Sequence, residues 1–383
     1  MYKEPIGQEF AGHLHYKLEP TVYEAFMEEE SLPIHRGIGV YDVRQLNLAP
    51  WKRMGGQGAF IELEGQAGLW GMYVVQVPAG GVLNSERHIY EEVFLVIEGR
   101  GSTEVWLEGG AGKKAFEWQA GAHFAVPLNA WHRLVNATAS PALLLVATSA
   151  PRLLELFPTR SFVFNNPWKF AERYDESDDY FKPRDQLEPH PEHGRAQLRS
   201  NLIPDIAHCY LPLDNNRAPG FRWINPQMAG NTYFSHGFIA EYPSGRYSKA
   251  HYHAAGPVLV CLRGKGYTLS WPVELGLRPW EAGKGHLVKR QDYVPGGMVS
   301  AAPGGGSWFH QHFSTGKDFF RVRAIIAGMT RQGHAGDVVA GVGAEIGQGG
   351  RAISYQEEDP QVRKLYHEAL QREGVQFQMP ETT

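Results

Sequence analysis

The sequence predicts an all-β fold of two tandem jelly-roll barrels, with short helices confined to a linker and a C-terminal tail. Three observations lead there. The stretch "VPAGGVLNSERHIYEEVFLVIEGRGSTEVW" (77–106) aligns without a gap on "YPSGRYSKAHYHAAGPVLVCLRGKGYTLSW" (242–271), at a constant shift of 165 positions. Glu86-Arg-His88 falls on His251-Tyr-His253, Gly99-Arg-Gly101 on Gly264-Lys-Gly266, and Thr103 and Trp106 on Thr268 and Trp271. Two copies of one unit are too few for a solenoid. Each copy also reads as short strands separated by turn signals at roughly 8–12-residue intervals, the rhythm of sandwiches and barrels. Finally, 44 glycines and 25 prolines suit tight turns and short strands better than a helical bundle.

In chain order, an N-terminal arm (1–55) precedes a first barrel (56–150). Within that barrel "EVWLEGGAGKKAFEW" is an explicit hairpin, two alternating strands joined through Gly109-Gly110-Ala111-Gly112. A linker (151–200) opens with a short helix at Arg152–Phe157 and becomes charged and proline-punctuated near 183–195. The histidines of its "PHPEHG" cluster (189–194) read as solvated. In the second barrel (201–332), Phe309-His310 matches Trp131-His132 at a shift of 178, so this copy carries about 13 more residues than the first. A Gly-rich linker (333–350) then leads to a helix capped by Asp359 with Pro360 at its first position. Val362, Leu365, Tyr366 and Leu370 share one face, which can cover a barrel mouth, dock on its own barrel or pack on a second subunit.

Composition excludes several classes. With 37 basic and 41 acidic residues and no basic block, neither nucleic acid nor a membrane surface is expected as a partner. Two cysteines, Cys209 and Cys261, make neither a disulfide framework nor a thiolate cluster. The N-terminal residues lack the apolar core of a signal peptide, and no apolar run reaches about 18 residues, so a soluble cytoplasmic protein is expected. A phosphate loop and a nucleophile elbow are both missing.

The chemistry concentrates in "KAHYHAAGPVLVCLRGKGYTLSW" (249–271). In an extended segment residues i and i+2 face the same way, so His251 and His253 project together. They are either half of a metal site or two satisfied polar residues. His310, returning from a later strand, turns the pair into three neutral imidazoles able to cap one side of a metal. That set suits Fe, Cu, Ni or Zn, with no thiolates to indicate a structural zinc site. Cys261 reads as a small buried hydrophobe, and Trp308 shares the alternation of His310.

These paired segments resemble the two short motifs of the cupin superfamily, one built on glycine, His-x-His, glutamate and glycine, the other on glycine, Pro-x-Gly, histidine and asparagine. In the second copy Gly245, His251, His253, Gly264 and His310 match, with Pro257 at the glutamate position and Ser314 at the asparagine. In the first copy Glu92, Gly99, Gly121, Pro127, His132 and Asn136 match, with Asn129 in place of a glycine and Glu86 in place of the first histidine. The chain is thereby similar to bicupins, including gentisate-type dioxygenases and those labelled ethanolamine ammonia-lyase-activating proteins.

The resemblance implies a primary metal site of His251, His253 and His310, and a second candidate set of His88, Glu92 and His132 with Glu86. For the second set, ion pairs Glu92–Arg87 or Glu86–Arg133 are an equally simple use of the carboxylates. His123 reads as a strand surface residue. His312 and Trp308 are the expected catalytic neighbours, His312 as a fourth ligand or as an acid/base group, and Arg246 or Arg263 as the holder of a substrate carboxylate. The leading expectation is an Fe(II) dioxygenase acting on a small aromatic or oxo/hydroxy acid, in a homodimer or larger homo-oligomer. The alternatives are a non-oxidative isomerase, lyase or decarboxylase using Mn, Ni or Zn, and a non-catalytic metal- or ligand-binding accessory protein.

Overall fold

The computed structural model describes residues 17–66, 68–215, 217–234, 237–253, 256–303, 307–327, 341 and 343–380. Half of the Gly-rich stretch expected at 333–350 lies outside them. The described chain is mostly β and divides into two barrels, each a large sheet facing a three-stranded one. In the first barrel the large sheet runs Ile34–Gly37, Gly56–Leu63, Gly71–Val77, Ala142–Thr148, Glu92–Glu98, His123–Ala125 and Leu202–Ile203. The small sheet is Trp131–Val135, Arg100–Trp106 and Lys114–Gln119.

The second barrel repeats the plan in register. Val105 faces His132 in the first small sheet, and Ser270 faces His310 in the second, so the shift of 165 holds in three dimensions. Val77 and Tyr242 end equivalent strands. Part of the extra length of the second copy lies in the connection 273–288, which replaces the short hairpin turn at 107–113.

Alternation along the strands explains the packing. Phe60, Val75, Leu144 and Val146 point into the first barrel. Their neighbours Ile61, Val74, Leu143 and Leu145 point the other way, against Ile224, Ile239, Val258, Val260 and Ile325 of the second barrel. The large sheets are therefore buried on both faces, which is why "ALLLVAT" is an unbroken apolar run rather than an alternating one. Segments also cross between barrels. Gly39–Val40, from the N-terminal arm, pairs with Met298–Ser300 of the second barrel, and Leu202–Ile203 pairs with His123–Ala125 of the first.

This interface overturns the surface reading of His123, which is 1% exposed. Its Nδ1–H donates to the Phe94 carbonyl (2.8 Å), and its Nε2 accepts from Arg323 Nε (3.1 Å) across the two barrels. Burial and the adjacent guanidinium push the imidazole down to about 3, so it is the neutral acceptor in this bond. The solvent-facing assignment failed because a sheet packed against a second sheet has no solvent face.

Within the linker two helices form, Ala150–Leu156 and Arg160–Phe164. The tail helix spans Pro360–Glu373 and docks on its own barrel, through Val362, Tyr366, Ala369 and Leu370 packed over Tyr247, Tyr267 and Phe313. Tyr366 donates its hydroxyl hydrogen to the Ser314 carbonyl (2.5 Å). Cys261 is buried as expected, with its Sγ 3.6 Å from the Arg263 carbonyl. No helix among the described residues is long and apolar enough to cross a membrane.

Beneath the tail helix, Glu358 accepts from the Tyr247 hydroxyl (2.5 Å) and from Gln311 Nε2 (3.2 Å). Burial pushes its carboxyl up to about 7, against the lowering by these bonds and by Arg363. A raised carboxyl pKa means that the unfolded chain releases its proton first. The linked stability is fully present below the ordinary value of 4.5 and is lost as pH rises through about 7. Urea midpoints at about pH 5 and about pH 8 should therefore differ more for the wild type than for Glu358→Gln. Equal differences in the two proteins contradict this assignment.

Candidate metal centres

In each barrel the segment carrying the first motif lies antiparallel to the strand carrying the last histidine, through the bridges Glu86–His132 and His251–His310. The second bridge is bonded both ways, His251 N to His310 O (3.1 Å) and His310 N to His251 O (2.9 Å). Backbone pairing thus brings together side chains far apart in sequence, all facing the barrel interior.

In the first barrel Glu86, His88, Glu92 and His132 each offer a ligand atom, all within 4.8 Å of one another. The Nδ1–H of His88 donates to the Tyr90 carbonyl (2.9 Å) and that of His132 to the Ala130 carbonyl (3.2 Å), which leaves both Nε2 atoms facing inward. Tyr90 stacks on the His88 ring at 3.6 Å between centroids. Glu92 accepts from the Tyr73 hydroxyl at Oε1 (2.7 Å), and its Oε2 lies 3.2 Å from His88 Nε2. His88 Nε2, Glu92 Oε2 and His132 Nε2 are nonetheless buried without a hydrogen bond in the described structure. Buried polar atoms facing one another unsatisfied are costly, and a shared cation satisfies all three, so these residues fit a divalent ion.

The ion pairs expected from sequence are made elsewhere. Arg87 pairs with Glu108 and Arg133 with Glu104, while Glu86 Oε2 is taken by Arg53, whose Nε also donates to Glu30 (3.0 Å). Burial alone would raise the Glu86 carboxyl, but Arg53 and His132 hold it well below the usual range. Burial works against charge on His132, yet Glu86 and Glu92 outweigh it and raise its pKa.

In the second barrel His251, His253 and His310 converge with one nitrogen each inside 4.8 Å. Their ring centroids are 5.8 Å (His251–His253), 4.3 Å (His251–His310) and 4.8 Å (His253–His310) apart. The Nδ1–H of His251 donates to the Lys249 carbonyl (3.1 Å) and that of His310 to the Trp308 carbonyl (3.2 Å), the same orienting device as in the first barrel. Burial and, next, the Arg217 charge hold His251 well below the ordinary imidazole value; burial and His253 do the same for His310. This donor set, nitrogen alone, fits a transition metal.

His312 lies outside the converging three. Its Nδ1 is 2.9 Å from Thr268 Oγ1, which continues to the Tyr293 hydroxyl (2.9 Å), and its ring centroid is 5.5 Å from that of His310. Trp308 is half-buried with Lys289 Nζ 5.5 Å from its ring centre, and its carbonyl orients His310. Arg263 is committed to Asp318 (2.6 Å), whereas Arg246 Nη1 donates to the Pro219 carbonyl (2.7 Å) and its Nε is buried without a hydrogen bond in the described structure. Sequence reading missed Arg53, Tyr73 and Arg217. Tyr73 was legible in principle, because the shift of 165 sets it over Phe238 as it sets Glu92 over Pro257. The acid and its hydroxyl donor are absent together from the second barrel.

The protonation states predict different metal-binding behaviour. Glu86 and Glu92 raise the His132 pKa, so protons compete with an ion for that ring at higher pH than for His251 and His310, whose pKa values are lowered. Metal affinity of the first barrel, isolated with His251→Ala, should weaken more between about pH 8 and about pH 6 than that of the second, isolated with His88→Ala. Parallel losses in both variants would falsify the contrast.

Comparison with known proteins bears on the family. Residues 73–148 match the cupin domain model. No curated protein matches the chain. Among solved structures, a two-residue deletion variant of Bacillus subtilis oxalate decarboxylase is similar at 10% identity over 76% of each chain, with a TM-score of 0.45. Another structure of the same enzyme, from work on its Mn(II) centres, is 11% identical over 76% of this chain and 77% of its own, with a TM-score of 0.46. The family match lies within the first barrel, whose strand register the second repeats.

Proposed function

We propose that this chain, a bicupin of two tandem cupin barrels, is a metal-dependent enzyme acting on a small organic acid at the His251, His253 and His310 centre. One observation carries the reading: three inward imidazoles converge there with no carboxylate among them. A divalent ion held by them keeps its full charge for an anionic chelating acid, supplying Lewis acidity and, in the case of iron, electrons for O₂ chemistry.

The chain's own residues supply the rest. The carbonyls of Lys249 and Trp308 fix the His251 and His310 rings at Nδ1, so that Nε2 of each would be the atom to hold an ion. His312, buried and tied to Thr268 at Nδ1, keeps Nε2 as the atom that takes or returns a proton of the bound acid. Trp308 offers an apolar edge beside His310.

Two reaction classes follow. Imidazole-only donors suit Fe(II) among other transition metals, and iron there would allow dioxygenation of an aromatic or oxo/hydroxy acid. The carboxylate-rich set of the first barrel favours Mn²⁺ and a non-oxidative course such as decarboxylation. Protein loaded with Fe(II) or Mn(II) and given a panel of aromatic, oxo and hydroxy acids, with and without O₂, separates them. Turnover with O₂ uptake in the iron form supports dioxygenation; product formed equally without O₂ supports the second class. In either case His253→Ala should lower both metal content and turnover, the latter about a hundredfold or more. A fully loaded protein inert toward every acid under both atmospheres defeats the enzymatic reading.

A further inference from the structure

The second barrel holds its inward imidazoles by two different means. Backbone carbonyls, which can only accept, take the Nδ1–H of His251 and of His310 and leave a lone pair at Nε2. His312, two residues along the strand and on the same face as His310, meets a hydroxyl instead. Its Nδ1 lies 2.9 Å from Thr268 Oγ1, which lies 2.9 Å from the Tyr293 hydroxyl. A hydroxyl can give or accept, so the ends of this chain decide its direction. The far end is Tyr293, a phenol 1% exposed, whose proton burial holds in place by pushing its pKa well above the ordinary value. Among the described residues its hydroxyl bonds to Thr268 alone. A buried O–H without an acceptor is costly, so Tyr293 donates to Thr268. Thr268 then directs its own proton to the one acceptor left in the chain, His312 Nδ1. The opposite direction strands the phenol proton, and a threonine accepting from both sides strands its own. With Nδ1 accepting, the His312 ring is neutral and carries its hydrogen on Nε2.

The first barrel contains the same device without the histidine. By strand register Thr103 stands where Thr268 does, Trp118 where Tyr293 does and Leu134 where His312 does. The Trp118 indole N–H, which can only donate, bonds to Thr103 Oγ1 (3.0 Å). A donor aimed at the threonine is therefore common to both barrels, and the second adds an acceptor on the threonine's other side. Trp118, Thr103 and Leu134 fill the equivalent space, so packing alone does not call for the polar chain. The chain ends beside the metal-binding residues: the His312 ring centroid is 5.5 Å from that of His310 and 6.3 Å from that of His251. No described residue bonds to its Nε2.

We propose that Thr268, backed by Tyr293, is a positioning residue that fixes His312 as a hydrogen-bond donor, through Nε2–H, to an anion bound at the His251, His253 and His310 centre. In this tautomer Nε2 has no lone pair, so His312 is neither a fourth metal ligand nor the group that takes a proton from the bound acid. Of the two directions open to a proton at that atom, giving is the one the chain supports. The N–H meets negative charge on a ligand oxygen without bringing a second cation beside a divalent ion. The ligand's part in this rests on the metal centre proposed above; the direction of the chain does not.

Two measurements test the two parts. Nitrogen NMR of metal-free protein labelled at histidine reads the tautomer, with His312→Leu, the residue of the first barrel, identifying the signal; the hydrogen should be on Nε2. Protein loaded with Co(II) is then titrated with acetate and, separately, with neutral imidazole, following the cobalt absorption that His251→Ala removes. His312→Leu should bind acetate about tenfold more weakly or worse, and Thr268→Val about three- to tenfold more weakly, with imidazole affinity unchanged in both. Thr268→Ser should restore acetate binding, and the double variant Thr268→Val/His312→Leu should be no weaker than His312→Leu alone, because the threonine acts through the histidine. Hydrogen on Nδ1 of His312, or unchanged acetate affinity in His312→Leu, overturns the donor. Losses that add in the double variant, or a parallel fall for acetate and imidazole, overturn the positioning role of Thr268. A wild type without any cobalt signal that His251→Ala removes overturns the metal reading, while the tautomer still decides the direction of the chain.

Discussion

The antiparallel bridge between the motif segment and the returning strand is the constraint on which both centres depend. It sets Glu86 beside His132 and His251 beside His310, and the i, i+2 geometry then brings His88 and His253 to the same interior. A slip of one residue in either pairing would turn the second partner to the outer face. The outer face is already occupied in the second barrel, where Phe309 and Phe313 alternate with His310 and His312 and belong to the cluster under the tail helix. Aromatic packing outside thus holds the register that places imidazoles inside.

A second layer of constraint comes from the contact between barrels. Large sheets buried on both faces give each strand two sets of apolar neighbours, and segments exchanged in both directions tie the units together. One polar contact between the barrels, Arg323 donating to a neutral His123, is bonded and oriented rather than charge-paired. Burial pushes the Arg323 guanidinium down to about 9, the cost of placing a cation between two sheets.

Duplication followed by divergence has altered charge more than shape. The first barrel keeps two carboxylates among its inward donors, with Tyr73 and Arg53 to hold them. The second has exchanged both acids, for His251 and Pro257, and exchanged Tyr73 for Phe238. One centre carries its own negative charge; the converging donors of the other are imidazoles alone. The same backbone therefore presents two electrostatic environments, and the difference lies in three substitutions readable at a single shift.

The sequence by itself determined the two-barrel plan, the residues that converge and the tail helix with its cap. Those follow from local chemistry: alternation, turn residues and a repeated spacing act over a few positions and are written in order along the chain. Only the tertiary structure decided which arginine holds Glu86 beside His132, because Arg53 lies some thirty residues before that motif and carries no periodic signal. It likewise decided that His123 is buried between barrels and that Glu86 pairs with Arg53 rather than Arg133. Long-range ion pairs and sheet-to-sheet contacts depend on how separate surfaces meet in space, and no residue's immediate neighbours record that.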